Sequence, residues 1–172
     1  MGSFLCNCLD KSIKILVIGL KGTGKTTFVE RLRGDLPRDA IDRDYEKITH
    51  DGHELTICDL IGDEDFQGLW GYYYHNKDLV VYVIDSSDKT SLETNKNYVH
   101  SLFNDEYFTK SKFLIIANKQ DNPNAIGVEE LINLLDIGSF IDTKCHIQGI
   151  CATSGEGINE AMGWIKNQFF DE

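Results

Sequence analysis

Gly19-Leu20-Lys21-Gly22-Thr23-Gly24-Lys25-Thr26 fits the pattern G-x-x-x-x-G-K-[ST] in full. It directly follows Ile13-Lys14-Ile15-Leu16-Val17-Ile18, a short β-branched apolar run, and it opens a segment carrying Phe28, Val29 and Leu32 at helical spacing. Strand, Gly-rich turn and helix, in that order, is the context that gives this pattern a physical meaning. The glycines let backbone N–H groups turn inward onto phosphate oxygens, and the helix N-terminus adds the positive end of its dipole. Gly22, Thr23, Gly24, Lys25, Thr26 and Thr27 are therefore candidate phosphate-binding residues. Lys25 is expected to reach the β- and γ-phosphates and the Thr26 hydroxyl to bind Mg²⁺. The plainer reading is a Gly-rich turn between strand and helix, which asks for none of the motif's spacing.

Working outward, Leu79 to Ile84 (LVVYVI) and Phe113 to Ala117 (FLIIA) are nearly continuous apolar runs. Such runs suit central parallel strands covered on both faces. Cys145 to Ile150 is a weaker candidate for the last strand. Glu46 to Asp59 holds Asp51-Gly52 between two β-like segments, a hairpin signal that places one antiparallel strand beside the parallel ones. Three more helices are legible. Thr90-x-x-Glu93 has the form of a capping box before Leu92, Val99 and Phe103. Val128, Leu131, Ile132 and Leu135 share one helical face, as do Ile158, Ala161, Met162, Ile165 and Phe169. The fold class expected is α/β: a P-loop, doubly wound, mostly parallel six-stranded sheet with helices on both faces and one antiparallel strand. Ligands in such sheets bind at the carboxyl ends of the strands.

The composition excludes several classes. The 172 residues suit one domain, and 41% apolar with 26% charged residues is ordinary for a globular protein. A formal net charge of -11 disfavours non-specific nucleic-acid binding, which rewards clustered Lys and Arg. No apolar stretch approaches the roughly 20 residues that span a bilayer, and the start does not have the form of a secretory signal. The five cysteines, Cys6, Cys8, Cys58, Cys145 and Cys151, are odd in number and scattered, which argues for a reduced compartment rather than a disulfide framework. Cys6-x-Cys8 is too close for the usual zinc pair.

A phosphate loop does not choose a base. Asn118-Lys119-Gln120-Asp121 follows the FLIIA run and fits N-K-x-D. Asn118 offers hydrogen bonds to a base, the Lys119 stem can lie along its face, and the Asp121 carboxylate accepts two donors in a row. Guanine presents such a pair at N1–H and its exocyclic amine, and adenine does not. A polar turn capped by Asn122-Pro123 is the competing reading. Cys151-Ala152-Thr153 ends the last strand, where a backbone N–H at Ala152 can meet the guanine carbonyl oxygen.

With these pieces in place the sequence resembles the Ras-like small GTPases, most closely the ADP-ribosylation-factor (Arf) and Arf-like branch. The resemblance rests on MG at the start, GLKGTGKTT, DLIGD with LWGYYY after it, VIDSSD, ANKQDNPNA and CATSGEGI, which span nearly the whole chain. It implies an N-terminal membrane-anchor segment at 1–12 and a GTPase domain at 13–172. It also implies GTP/GDP and Mg²⁺ as cofactors, and a GDP/GTP cycle served by an exchange factor, an activating protein and effectors. A monomer is expected, cytoplasmic and cycling to a membrane surface, with membrane traffic as the setting and the Golgi as one candidate membrane.

Four departures stand out. Asp59-Leu60-Ile61-Gly62 occupies the D-x-x-G position: Asp59 would hold Mg²⁺ through water, and the Gly62 N–H would sense the γ-phosphate. The next residue is Asp63, where the family has a water-orienting Gln. A carboxylate beside an anionic phosphate repels it, so hydrolysis is expected to be impaired; alternatively Asp63 is only a loop carboxylate and Gln67 enters the site. The family's first-switch Thr falls on Ala40, among Asp39, Asp42 and Asp44; this loop is read as a solvated acidic segment, the alternative being that one of its carboxylates binds the metal. An exposed aromatic triad that Arf relatives show to effectors reads Arg43, Cys58 and Tyr73. Lys21 stands in the phosphate loop where the family is small or acidic, and a solvent-facing side chain is expected.

Met1-Gly2-Ser3-Phe4-Leu5-Cys6 resembles an N-myristoylation signal at Gly2, with Cys6 in place of the preferred Ser or Thr. One myristoyl chain binds membranes marginally, with K of roughly 10⁴ M⁻¹, so palmitate on Cys6 or Cys8 would supply a second anchor. A frayed apolar tail is the alternative.

Overall fold

The computed structural model describes residues 12–36, 39–41, 45–50, 52–62, 68–141 and 144–170. The strands are β1 (Ile13–Ile18), β2 (Asp39–Ala40), β3 (Tyr45–His50), β4 (His53–Asp59), β5 (Leu79–Asp85), β6 (Lys112–Asn118) and β7 (Cys145–Gly149). They form one sheet in the order β2-β3-β4-β1-β5-β6-β7. The six expected strands are present, and the two-residue β2 extends the sheet at the β3 edge. β4, β1, β5, β6 and β7 run parallel, and β3 is antiparallel to β4. The hairpin closes with His50 opposite His53, and Gly52 in its turn has φ 82°.

Among the described residues the α-helices are α1 (Lys25–Arg33), α2 (Leu92–Phe103), α3 (Val128–Leu135) and α4 (Ile158–Phe169). Strand alternation decides which helix covers which face. Ile13, Ile15 and Val17 of β1 join Val81, Val83, Leu114 and Ile116 under Phe28, Val29 and Leu32 of α1 and Ile158, Ala161, Met162 and Ile165 of α4. Leu16 and Ile18 face the other way, with Val80, Tyr82, Ile84, Phe113 and Ile115, under Val99, Leu102 and Phe103 of α2 and Leu131 and Leu135 of α3. Both faces of β5 and β6 are buried, so their sequences read as nearly continuous apolar runs, and β1 is buried apart from Lys14.

The start of α2 differs from the expected capping box. Thr90 donates its N–H and hydroxyl to Asp88 Oδ1 at 3.0 and 2.6 Å, and the N-cap residue Ser91 makes no side-chain cap bond. Asp88, one residue pair earlier, caps a short 3₁₀ turn over Lys89–Ser91 that leads into the helix.

Candidate nucleotide-binding site

The site collects at the carboxyl ends of the parallel strands. The loop after β1, the Asn118–Asp121 segment after β6 and the Cys151–Thr153 segment after β7 meet there. They line a cleft of about 260 Å³ with Gly22, Gly24, Thr27, Asn118, Lys119, Asp121, Asn122, Ala152 and Thr153 among its walls. Eight of the twelve residues expected to touch phosphate or base line this one cleft, over a sequence separation of more than a hundred residues.

The phosphate loop is held from within. The Thr23 hydroxyl donates to Leu20 O at 3.0 Å, and Lys25 Nζ donates to the same carbonyl at 2.8 Å. Lys25 is 7% exposed. Burial pushes its ammonium pKa down, and the Asp59 carboxylate nearby pulls it back up. Gly24 has φ 97°, and a β-carbon there would collide with the Asn118 side-chain amide. A β-carbon at Gly62 would collide with Lys25 Nζ and Gly19 O, so the D-x-x-G backbone lies directly against the phosphate cradle. Lys21 is exposed.

Thr26 Oγ1 donates to Asp59 Oδ2 at 2.8 Å. The two expected metal ligands are therefore neighbours. Both are hard oxygen donors beside the loop, and among the described residues no group of three or more His, Cys, Asp or Glu gathers elsewhere. One or two protein oxygens, with phosphate and water completing the shell, is the donor set Mg²⁺ prefers. The residues present fit the ion.

On the base side the expected residues are tied to one another. Asn118 is 3% exposed and acts as a strut: its Nδ2 donates to Thr23 O at 2.8 Å, and its Oδ1 accepts from the Ala152 N–H at 3.0 Å. The Ala152 N–H, expected to meet the base, donates to Asn118 in this structure. Each Asn118 group has found a backbone partner, as a buried amide must. Lys119 has φ 64° and pairs through Nζ with Asp85 Oδ2 at 2.6 Å, which anchors its stem at the cleft wall. Burial alone would raise the Asp85 carboxyl, but hydrogen bonds from Lys119 and Ser87 and the Lys119 charge hold it below its ordinary value. Asp121 is exposed in the cleft. Cys151 is buried, with Sγ 3.1 Å from Thr153 Oγ1.

One functional neighbour escaped the sequence reading. Arg31 on α1 donates through Nε to Ala152 O at 2.9 Å and through a terminal nitrogen to Thr153 O. No motif marks it; its spacing of four from Thr27, a cleft residue on the same helix face, is the available signal.

Gly2, Cys6, Cys8, Asp42, Arg43, Asp44, Asp63 and Gln67 lie outside the described residues. Ala40 lies in β2, opposite Glu46 of β3, so this part of the first switch is edge strand rather than loop. Of the former triad positions, Cys58 is fully buried, and Tyr73 is half-buried with its ring 6.3 Å from Tyr45.

Comparison with known proteins agrees with this geometry. Residues 3–169 match the model of the ADP-ribosylation factor family. ADP-ribosylation factor J of Dictyostelium discoideum is 33% identical over 175 residues, covering 97% of this chain and 93% of that protein. ADP-ribosylation factor K of the same organism is 32% identical with the same coverage. The Arl6 BBS3 small GTPase of Trypanosoma brucei, solved with the bound nucleotide analogue GppNp, superposes with a TM-score of 0.82 at 26% identity. That match covers 92% of this chain and 97% of the other. The chain belongs to the ADP-ribosylation factor family of small GTPases.

Proposed function

We propose that this protein is a GDP/GTP switch with slow GTP hydrolysis, working at a membrane surface in membrane traffic. Guanine nucleotide binding and GTP hydrolysis are general to its family; the slow turnover and the membrane setting are our reading. The observation that carries it is the single cleft joining Gly22, Gly24 and Thr27 to Asn118, Lys119, Asp121, Ala152 and Thr153. Lys25 and the loop N–H groups would neutralise phosphate charge, the Gly62 N–H would report the γ-phosphate, and Asp121 would select guanine. Thr26 and Asp59 would hold Mg²⁺, which when bound offsets charge on the β- and γ-oxygens. An exchange factor, an activating protein and effectors would serve the cycle.

The slow rate follows from two positions. Hydrolysis in this fold needs an oriented in-line water and charge stabilisation on the transferring phosphoryl group. Asp63 replaces the water-orienting Gln and Ala40 replaces the switch Thr. Each loss is worth one or more factors of ten, at about 1.4 kcal/mol per tenfold. Single-turnover hydrolysis is expected at or below roughly 10⁻⁴ per second, the scale of an unassisted small GTPase. Asp63→Gln with Ala40→Thr should raise it, or raise its response to an activating protein. Brisk wild-type hydrolysis without a partner would overturn this and point to Gln67. A nucleotide-loaded scaffold without useful turnover is the second reading, favoured by the same two substitutions. It predicts guanine nucleotide in the purified protein and no phosphate release even with an activating protein.

The membrane reading rests on Met1-Gly2-Ser3 and the cysteines that follow, since among the described residues no helix is long and apolar enough to cross a membrane. Gly2→Ala is expected to move the protein from the membrane fraction to the cytosol, and Cys6→Ser with Cys8→Ser to do so in part. Mass spectrometry showing an unmodified N-terminus on wholly soluble wild-type protein would end this reading.

A further inference from the structure

We propose that Arg31 is a positioning residue that sets how long guanine nucleotide stays bound. It would do so by locking the Cys151–Thr153 loop to the helix that carries the phosphate-binding side chains. The inference rests on the nucleotide-binding reading above and adds to it a residue outside every recognised motif.

Two struts join the phosphate side of the cleft to its base side. Asn118 is the first, spanning Thr23 O and the Ala152 N–H. Arg31 is the second, and it is built differently. Its guanidinium meets two successive carbonyls, Ala152 O through Nε at 2.9 Å and Thr153 O through a terminal nitrogen. A planar fork engaging adjacent carbonyls fixes the orientation of both peptide planes, which a single-point ammonium cannot do. Hydrogen bonds from a charged donor are stronger than neutral ones, and the exposure of Arg31 moderates that gain.

The placement of Arg31 couples it to phosphate binding. α1 opens with Lys25, Thr26 and Thr27 and runs to Arg33, so Arg31 lies one turn beyond Thr27 on the cleft side of the same rigid helix. Phe28, Val29 and Leu32 anchor that helix in the core at 0–3% exposure. The loop at the other end of the clamp is short and self-bonded: Gly155 N–H donates to Cys151 O at 2.8 Å and Cys151 N–H to Glu156 O at 3.0 Å. A stiff helix, a stiff loop and a fork between them hold the distance from phosphate cradle to base wall. Nucleotide release requires that distance to change, and the fork opposes it.

The test uses full-length protein loaded with a fluorescent GDP derivative, its release followed by stopped flow, together with GDP and ADP affinities and the melting temperature of the nucleotide-free protein. Arg31→Ala is expected to speed GDP release about tenfold and to narrow the preference for GDP over ADP, because the loop that faces the base is loosened. Arg31→Lys, which keeps one contact, should fall between the two. Release at the wild-type rate in Arg31→Ala overturns the proposal. So does an equal loss of GDP and ADP affinity tracking a lowered melting temperature, which marks a fold contact only. If Arg31→Ala fails to fold, Arg31→Lys carries the same comparison, with release two- to fivefold faster expected and no change overturning the proposal. Wild-type protein that binds no GDP would instead sink the nucleotide-binding reading itself.

Discussion

Lys25→Ala is expected to weaken GDP and GTP together by roughly two to four orders of magnitude. Lys25 sits at the first turn of α1, almost fully buried, with Nζ on Leu20 O at 2.8 Å and the Gly62 backbone packed against it. In a nucleotide complex this ammonium becomes the main side-chain cation facing the β- and γ-phosphates. Two charge-assisted hydrogen bonds at about 1.5–3 kcal/mol each give the range stated. The alanine variant also leaves Leu20 O without that ammonium as a donor, but the Thr23 hydroxyl still reaches the same carbonyl at 3.0 Å, so the loop keeps an internal tie. The loss should therefore be in binding and not in folding. Isothermal calorimetry on wild type and variant, with thermal melting of both nucleotide-free proteins, checks this. Normal nucleotide affinity in Lys25→Ala would show that this loop is not the phosphate site.

Much of this arrangement is legible in the chain itself, because two kinds of signal are local. Strands buried on both faces must be apolar throughout, which is why LVVYVI and FLIIA announce β5 and β6. A phosphate loop needs glycines at fixed spacing for its backbone geometry, which is why GLKGTGKTT announces the cradle. The parts that were not legible are tertiary. Asn118 carries one donor and one acceptor group, and nothing in N-K-x-D says whether a base or the backbone satisfies them. The fold brings Thr23 O and the Ala152 N–H, 95 and 34 residues away, to its two ends. Arg31 belongs to no motif in the sequence, and the loop it clamps lies more than 120 residues on. Thr90 shows the same limit at short range: the capping-box spacing is there, but Asp88 two residues earlier is the better acceptor and takes both Thr90 donors. The pairing of Asp85 with Lys119 gives VIDSSD a physical role beside ANKQDNPNA that neither motif reveals alone, since β5 and β6 place the two residues at adjacent strand ends.

The base preference should reverse when Asp121 becomes Asn. Asp121 is exposed in the cleft, between the anchored Lys119 stem and Asn122, and no shared strut depends on it, so Asp121→Asn should leave the fold intact. The carboxylate presents two acceptors in a plane, which match the N1–H and amine donors of guanine. The amide presents one acceptor and one donor. Its N–H group then faces the guanine amine, donor against donor, and the charge that strengthened the remaining hydrogen bond is gone. Losing one charge-assisted hydrogen bond outright and the charge on the other, together about 3–4 kcal/mol, corresponds to a roughly 10²–10³-fold loss of GTP affinity. Xanthine carries a carbonyl where guanine carries the amine, so the same amide donor finds an acceptor and XTP binding should rise as GTP binding falls. Competition of XTP and GTP for a fluorescent nucleotide analogue, measured for wild type and Asp121→Asn, reads both changes in one experiment. Asn118 bonds Thr23 O and the Ala152 N–H, while the Asp121 carboxylate is exposed in the cleft with its acceptors available to a base. For that reason the crossover should be large. Unchanged GTP affinity in Asp121→Asn would remove guanine selection from this segment and with it the assignment of the cleft's base side.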